Sequence, residues 1–145
     1  MKTLKWLLSF ICISIVFGCS INGDENAKAK IQGKWFLIKQ VELEYQDDKL
    51  TKEFKDIDFT DENYMEFKSN SKVTLSRQGS HEVADYSINE TGTQLTISRA
   101  NGTSSVDHIK SLTSTELIFR EEDSEVVDGT ACRYVAEFYL RKGKQ

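Results

Sequence analysis

Short stretches in which apolar and polar residues alternate recur from Gly33 to the end of the chain, separated by turn signals. Alternation with a period of two is typical of a β-strand that buries one face. The apolar residues that share a face in successive stretches are Trp35, Leu37, Val41 and Leu43; Met65 and Phe67; Val73 and Leu75; Tyr86 and Ile88; Leu95 and Ile97; Val106 and Ile109; Leu117 and Phe119; and Tyr134, Ala136, Phe138 and Leu140. About eight strands with short sequential turns predict an all-β fold, either a sandwich or a closed barrel. We expect an eight-stranded antiparallel up-and-down β-barrel, because closure removes exposed sheet edges.

The connections between these stretches are short at most positions. Asn101-Gly102 is the strongest hairpin signal, since both residues tolerate positive φ, and Asp128-Gly129 is a second turn. The spacing of Val106 and Ile109 breaks the alternation and predicts a bulge. Residues 46–63 form a longer polar connection, with apolar residues spaced for a short helix or a lid. The acidic residues 121–123 are expected to form a solvated turn.

The first residues have the features of an export signal. Lys2 and Lys5 precede an apolar run at residues 6–17, which ends at Gly18-Cys19. A positive start, an apolar stretch of roughly 7–15 residues and a small residue at the cleavage point are typical of a signal peptide, whereas a membrane-spanning helix needs about 20 apolar residues. The sequence therefore predicts that residues 1–18 are a removed signal peptide.

Val16-Phe17-Gly18-Cys19 resembles the lipobox of bacterial lipoproteins, in which an aliphatic residue and a small residue precede an invariant cysteine. The resemblance implies that Cys19 receives a diacylglyceryl group and anchors the mature chain in a membrane through its acyl chains. Ser20 follows instead of an aspartate, which by the same resemblance implies the outer membrane of the cell envelope, on its periplasmic or its surface face. The small polar residues 19–30 are expected to be a flexible tether.

Charge and cysteine content limit the classes of partner and the source of stability. The chain carries 19 basic and 23 acidic residues without a basic cluster, so a nucleic-acid partner is not expected. Cys12 lies in the signal and Cys19 is the expected anchor, which leaves Cys132 without a partner. A packed core rather than a disulfide must therefore stabilise the domain.

The Gly-x-Trp tripeptide at Gly33 and Trp35 resembles the motif that opens the first strand of lipocalins. Arg141, near the end of the last strand, matches the lipocalin arginine that packs across this tryptophan. The resemblance implies a lipocalin-like barrel whose closed end is sealed by Trp35 and Arg141, with Lys142 and Arg133 as alternative partners for the ring.

The whole domain, residues 31–142, resembles the lipocalin-like lipoproteins of Bacteroidetes-type bacteria. In such a barrel the end opposite Trp35 is the open mouth, and the longer connections 46–63 and 122–130 are expected there. Long connections at one end of a scaffold are where binding residues concentrate.

Four cations are predicted to surround this mouth. Arg77 and Arg99 continue the inward apolar faces of their strands, Lys39 is expected deeper in the first strand, and the last strand begins near Arg133. Small barrels can hold one ligand, and ligand pockets are usually apolar with a few placed polar groups. We expect these four residues to bind the anionic head group of an amphipathic molecule, with surface ion pairs as the alternative role.

None of the spacings typical of catalytic or metal sites occurs in the sequence. His81 and His108 belong to no His-x-His or Glu-x-x-His pattern, and there is neither a Gly-x-Ser-x-Gly nor a phosphate-binding glycine loop. Cys132 is expected to be a small buried side chain rather than a nucleophile. We therefore expect no enzyme, no metal and no other cofactor.

Two hypotheses follow for the function. The first is a lipid-anchored, lipocalin-like envelope protein that binds a small amphipathic or hydrophobic ligand. The alternative is an envelope protein-interaction module, an accessory subunit or inhibitor, whose barrel is filled by side chains. The alternative is suggested by large aromatic residues on the nominal outer faces of the strands: Phe36, Tyr45, Tyr64 and Tyr139.

Overall fold

The structure is a computed structural model that describes residues 23–143, with side chains from Ala27 onward. The expected signal peptide, the lipid attachment at Cys19 and the first residues of the expected tether lie outside the described residues. No helix within residues 23–143 is long and apolar enough to cross a membrane. The elements of the described chain are α1 (Gly23–Ile31), β1 (Gly33–Gln46), β2 (Lys49–Asp56), β3 (Tyr64–Phe67), β4 (Lys72–Arg77), β5 (Ser80–Ile88), β6 (Gln94–Ser98), β7 (Ser104–Leu112), β8 (Glu116–Val127) and β9 (Thr130–Lys142).

Eight of these strands form a closed antiparallel barrel. Strands β3 to β9 pair in sequence order, and β1 pairs with both β3 and β9, which closes the sheet. The pairing of β1 with β3 is short and joins residues 33–36 to residues 64–67. The predicted eight-stranded antiparallel up-and-down barrel is confirmed, with β2 as an additional strand.

The additional strand belongs to a four-stranded projection beyond the mouth of the barrel. β2 pairs with residues 40–46 of β1, whose other edge pairs with β9, and β9 pairs with β8 as far as Val127. Beyond Arg120, β8 has no pairing with β7, so the wall of the barrel ends there while these strands continue. We call this projection, residues 40–56 and 121–137 in the order β2-β1-β9-β8, the extension.

The extension replaces the loops that the sequence predicted at the mouth. The short helix or lid expected within residues 46–63 is wrong, because a hairpin turn at Asp47 and Asp48, with φ of 47° and 62°, leads directly into β2. The solvated turn expected at residues 121–123 is also wrong, since these residues continue β8. The turn itself comes later, at Asp128-Gly129, where the sequence predicted one.

Helix α1 crosses the closed end of the barrel, where most of its residues were expected to be a flexible tether. Ala27 and Ile31 are four residues apart, which places them on one face of a helix, and both are buried. The indole Nε1 of Trp35 donates a hydrogen bond to the carbonyl of Ile31 at 2.6 Å. The sequence signal was weak because only these two side chains form the buried face of an otherwise polar segment.

The cation that packs on Trp35 is Lys142, so the prediction for Arg141 is wrong. Lys142 lies opposite Trp35 in the pairing of β1 with β9, with its Nζ 4.9 Å from the centre of the indole ring. Leu140 points inward, so its neighbour Arg141 points outward and is exposed. The same Nζ donates to the carbonyl of Lys30 at 2.9 Å, and this carbonyl is one of those that lack a partner inside a helix of this length.

The core of the barrel is concentrated in its closed half. Trp35, Leu95 and Leu117 are fully buried there, and the rings of Phe67 and Tyr86 meet edge to face with centroids 4.9 Å apart. The bulge predicted between Val106 and Ile109 lies instead between Ile109 and Ser111. Val106 faces outward, and Asp107, not Val106, shares the inner face with Ile109.

Candidate functional site

The barrel encloses a cavity of about 480 Å³ between the closed end and the mouth. Its walls are apolar side chains from most of the strands: Leu37, Met65, Leu75, Ile97, Phe119, Phe138 and Leu140. The rings of Phe119 and Phe138 stack with centroids 4.9 Å apart and form one wall. A cavity of this volume falls within the range of small-molecule sites, which is roughly 300–1,000 Å³.

Two of the four predicted cations, Arg77 and Arg99, lie on the wall of this cavity at its mouth. The Nε of Arg99 lies 3.4 Å from Oε2 of Glu82, so its charge is partly balanced. Arg77 forms no ion pair within the described part of the chain. Arg77 is therefore the cation at the mouth that is most available to a ligand, and its ligand-binding role stays a prediction.

The other two cations, Lys39 and Arg133, do not line the cavity. The pairing of β1 with β9 shifts register between Leu37 and Lys39, which reverses the parity of every later residue in β1. The inward orientation predicted for Lys39 is therefore wrong: its Nζ lies 3.4 Å above the ring of Tyr139 on the outside.

Arg133 also lies on the outer face, where its guanidinium stacks 4.0 Å from the ring centre of Tyr45. The structure therefore brings only two of the four predicted cations together. At the level of Lys39, the residue that lines the cavity is Gln40, whose Nε2 donates to Oε1 of Glu42 at 2.6 Å. An alternation pattern carries no mark of a bulge at Ile38, so the sequence alone could not give this parity.

The sequence reasoning missed a carboxyl pair between the barrel and the extension. Asp107 is 1% exposed, and its Oδ2 accepts a hydrogen bond from Ser105 at 3.3 Å. Burial is the largest cause that raises the pKa of Asp107 to about 7, and the Glu121 carboxylate adds to it, while Ser105 and Arg99 oppose it. Burial also raises the pKa of Glu121, against the lowering effect of Arg99. The signal that could have found Asp107 is its spacing of two residues from the buried Ile109.

A second concavity adjoins this pair on the inner face of the extension. We call it the groove: it has a volume of about 990 Å³ and is bounded by the extension and by the start of β7. Its lining includes the acidic residues Glu42, Glu44, Glu53, Asp107, Glu121, Glu122 and Asp123. Glu44 among them is paired with Lys52, and Glu122 is paired with Arg120 and Arg133. Phe54 and Tyr134 also line it and are 60% and 38% exposed. Glu121 lines both the groove and the barrel cavity, so the two spaces meet at its side chain.

The histidines and carboxylates of residues 23–143 form no group of three or more that could hold a metal ion. His81 lies against Tyr64, with ring centroids 6.0 Å apart, and His108 is exposed. Cys132 is a free thiol and is buried. The charged side chains that line the cavity are those of Arg77, Glu82, Arg99 and Glu121.

An up-and-down barrel that is closed at one end and open to an apolar cavity at the other is the architecture of a ligand-binding barrel protein. The family comparison agrees with this class: a model of the lipocalin-like domain matches residues 31–119. The chain belongs to the lipocalin-like domain family. A lipocalin-like barrel fits a ligand-binding role in general, and proteins of this family are typically binding proteins rather than enzymes. A comparison with curated proteins finds no match.

Proposed function

We propose that this protein is a lipid-anchored carrier of the cell envelope that binds one small amphipathic molecule inside its barrel. The observation that carries the proposal is the cavity of about 480 Å³, apolar in its depth and charged at its mouth. Such a gradient matches a ligand with a hydrocarbon body and a polar head, because each part is buried against a surface of its own kind. No cofactor is part of the proposal.

The body of the ligand occupies the space beside Phe119 and Phe138, over Leu75 and Ile97. Burial of a hydrocarbon chain against these side chains contributes about 0.8 kcal/mol for each CH₂ group. The anionic part of the head lies at the mouth beside Arg77, with Arg99 as its neighbour. The guanidinium of Arg77, which has no ion pair among residues 27–143, supports this orientation, since a charged hydrogen bond contributes about 1.5–3 kcal/mol.

The position of α1 supports an orientation relative to the membrane. Helix α1 covers the closed end, and Cys19 precedes Gly23 by four residues, which reach at most about 14 Å. A lipid on Cys19 would hold the closed end near the membrane and direct the mouth away from it. The ligand would then enter from the aqueous side of the outer membrane rather than directly from the bilayer.

The alternative role, a protein-interaction module with a filled barrel, has less support. It rested on large aromatic residues of the outer faces, yet several of these rings are covered by cations. Lys34 Nζ lies 3.6 Å from the ring centre of Tyr64, and Lys39 and Arg133 cover Tyr139 and Tyr45 in the same way. The open cavity also favours a carrier over a filled barrel.

The direct test measures the binding of dodecanoate to a chain of residues 20–145, which contains every element of the described fold. We expect the double variant Arg77→Ala, Arg99→Ala to bind dodecanoate at least tenfold more weakly, because both cations at the mouth are removed. The matched control is Arg141→Ala, an exposed arginine at the closed end, which should leave the affinity unchanged. Equal affinity of the wild type and the double variant for dodecanoate would show that the two arginines do not bind its head group.

A further inference from the structure

The barrel cavity and the groove share a wall at Glu121, and the charges differ on the two sides of it. On the cavity side, the charged lining residues are Arg77 and Arg99 together with Glu82 and Glu121, and Arg99 is paired with Glu82. On the groove side, Lys52 is the one cation among the described lining residues, and its Nζ is already paired with Glu44 at 2.7 Å. A polar head that leaves the barrel at Glu121 therefore passes from a lining that carries both arginines to a lining that is mainly acidic.

Asp107 gives an independent indication of what the groove lacks. Its side chain is almost fully buried, it lines the groove, and its hydrogen bond comes from an uncharged hydroxyl, that of Ser105. The described residues supply no ion pair for it, although buried carboxylates in proteins are normally paired with a cation. Burial is the largest cause that raises its pKa to about 7, the Glu121 carboxylate adds to it, and Arg99 opposes it only in part. A cationic group in the groove would balance the charge of this carboxylate.

Aromatic side chains in the groove fit the same chemistry. Phe54 on β2 and Tyr134 on β9 are both partly exposed on the inner face of the extension. The face of an aromatic ring attracts an organic ammonium group, and quaternary ammonium ligands are commonly recognised in this way. Carboxylates together with aromatic rings suit an ammonium group better than they suit a hydroxyl or an amide.

We propose that the head group of the ligand is zwitterionic, with its anionic group beside Arg77 and Arg99 and its ammonium group in the groove beside Glu121. This inference rests on the proposed function, because it describes the head of the molecule whose body fills the barrel. The order along the ligand is fixed by the order of the surfaces: hydrocarbon body, then anion, then ammonium. Electrostatic complementarity between a ligand and its site contributes more to specificity than to total affinity.

The test compares three probes with the same dodecyl chain, all used below their micelle concentrations on the chain of residues 20–145. Dodecanoate carries an anionic head, dodecyltrimethylammonium a cationic head, and dodecylphosphocholine an anion followed by an ammonium. We expect dodecylphosphocholine to bind most tightly, by about tenfold or more over dodecanoate. Glu121→Gln, and separately Glu42→Gln, should reduce or abolish this preference while dodecanoate binding is kept.

The matched control is Glu116→Gln, on the same strand β8 but at the closed end, which should keep the preference. If dodecanoate binds as tightly as dodecylphosphocholine, or if the preference survives both groove substitutions, the zwitterionic head is wrong while the carrier function stands. If the cationic probe binds most tightly, the arginines do not select the anion and the inference is also overturned. If none of the three binds, the proposed function itself fails.

Discussion

The closed half of the barrel and the extension are built from the same strands but have opposite surfaces. At the closed end, the inward residues of β1, β8 and β9 include Trp35, Leu117 and Leu140, all at most 1% exposed. Further along β1 and β9, the corresponding face of the extension carries Glu44 and Tyr134, which line an open groove. The difference shows that the inner face of one strand can pass from a packed core to water, in β9 with its alternation kept and in β1 across a register shift between Leu37 and Lys39.

The two regions should therefore differ in what they contribute. Burial and packing at the closed end stabilise the fold, and they leave the extension free to carry charge that a core would not tolerate. Strand pairing within the hairpins β1–β2 and β8–β9 holds the extension together, although most of the side chains of β2 are exposed. Substitutions at the closed end should change stability, and substitutions in the extension should change ligand selection.

The largest expected effect is the loss of Trp35. Trp35→Ala should lower the free energy of unfolding by about 3–5 kcal/mol, because a fully buried ring and its hydrogen bond to α1 are removed. Urea unfolding monitored by far-UV circular dichroism measures the change. The matched aromatic in the extension is Phe54, which is 60% exposed, and Phe54→Ala should cost less than about 1 kcal/mol. A similar loss of unfolding free energy in both variants would contradict the difference between the closed half and the extension.

Asp107, at the boundary of the two regions, should give a pH-dependent stability. Its folded-state pKa of about 7 exceeds the ordinary value of 3.8, so the folded state holds the proton more tightly than the unfolded state does. The free energy of unfolding should therefore fall as the pH rises from about 4 to about 7, by at most about 4 kcal/mol. The raised pKa of Glu121 acts in the same direction.

Asp107→Asn should flatten most of this fall, as measured by urea unfolding at several pH values. The control is Asp123→Asn, which alters a carboxylate of the groove lining that belongs to β8 in the extension. The wild-type slope should remain in that control. A slope that is the same in all three proteins would show that Asp107 does not hold its proton more tightly in the fold.

The smallest expected effect is the difference in stability between variants of Lys142 and Arg141, the two neighbouring cations at the end of β9. Lys142→Ala should cost about 1 kcal/mol, because its ammonium group packs on Trp35 and binds the carbonyl of Lys30. Arg141→Ala should be nearly neutral, since Arg141 is exposed. Thermal unfolding of both variants measures the difference. The reverse ranking would restore Arg141 as the residue that closes the barrel.

Much of the fold could be predicted from the sequence, because each strand of the closed half alternates against one apolar core. Tyr86 and Ile88, or Leu95 and Ile97, needed only the period of two to be placed inward. The extension could not be predicted in the same way, since its inner face is open to water and its residues resemble those of a loop. Lys49–Asp56 therefore gave no clear strand signal.

The site was predictable only in part, for two physical reasons. Arg77 and Arg99 continue strands without a bulge, so the alternation of inward and outward residues was enough to predict that both lie at the cavity. Lys39 follows a bulge, and a single extra residue reversed its direction. Asp107 and Glu121 were missed because a buried carboxylate looks like a surface residue in a sequence, and only the folded chain shows that the two lie on one inner face.

The central claim is that the barrel is hollow and holds a ligand, and native mass spectrometry after incubation with an envelope lipid extract tests it most directly. The wild-type chain of residues 20–145 should carry an adduct of a few hundred daltons, about the size expected for a cavity of this class. The variant Leu75→Trp should carry no adduct, because the larger side chain fills the cavity. The control Val83→Trp, on the exposed face of the neighbouring strand, should keep the adduct. A bare wild-type protein, or the same adduct on the Leu75→Trp variant, would contradict a ligand inside the barrel.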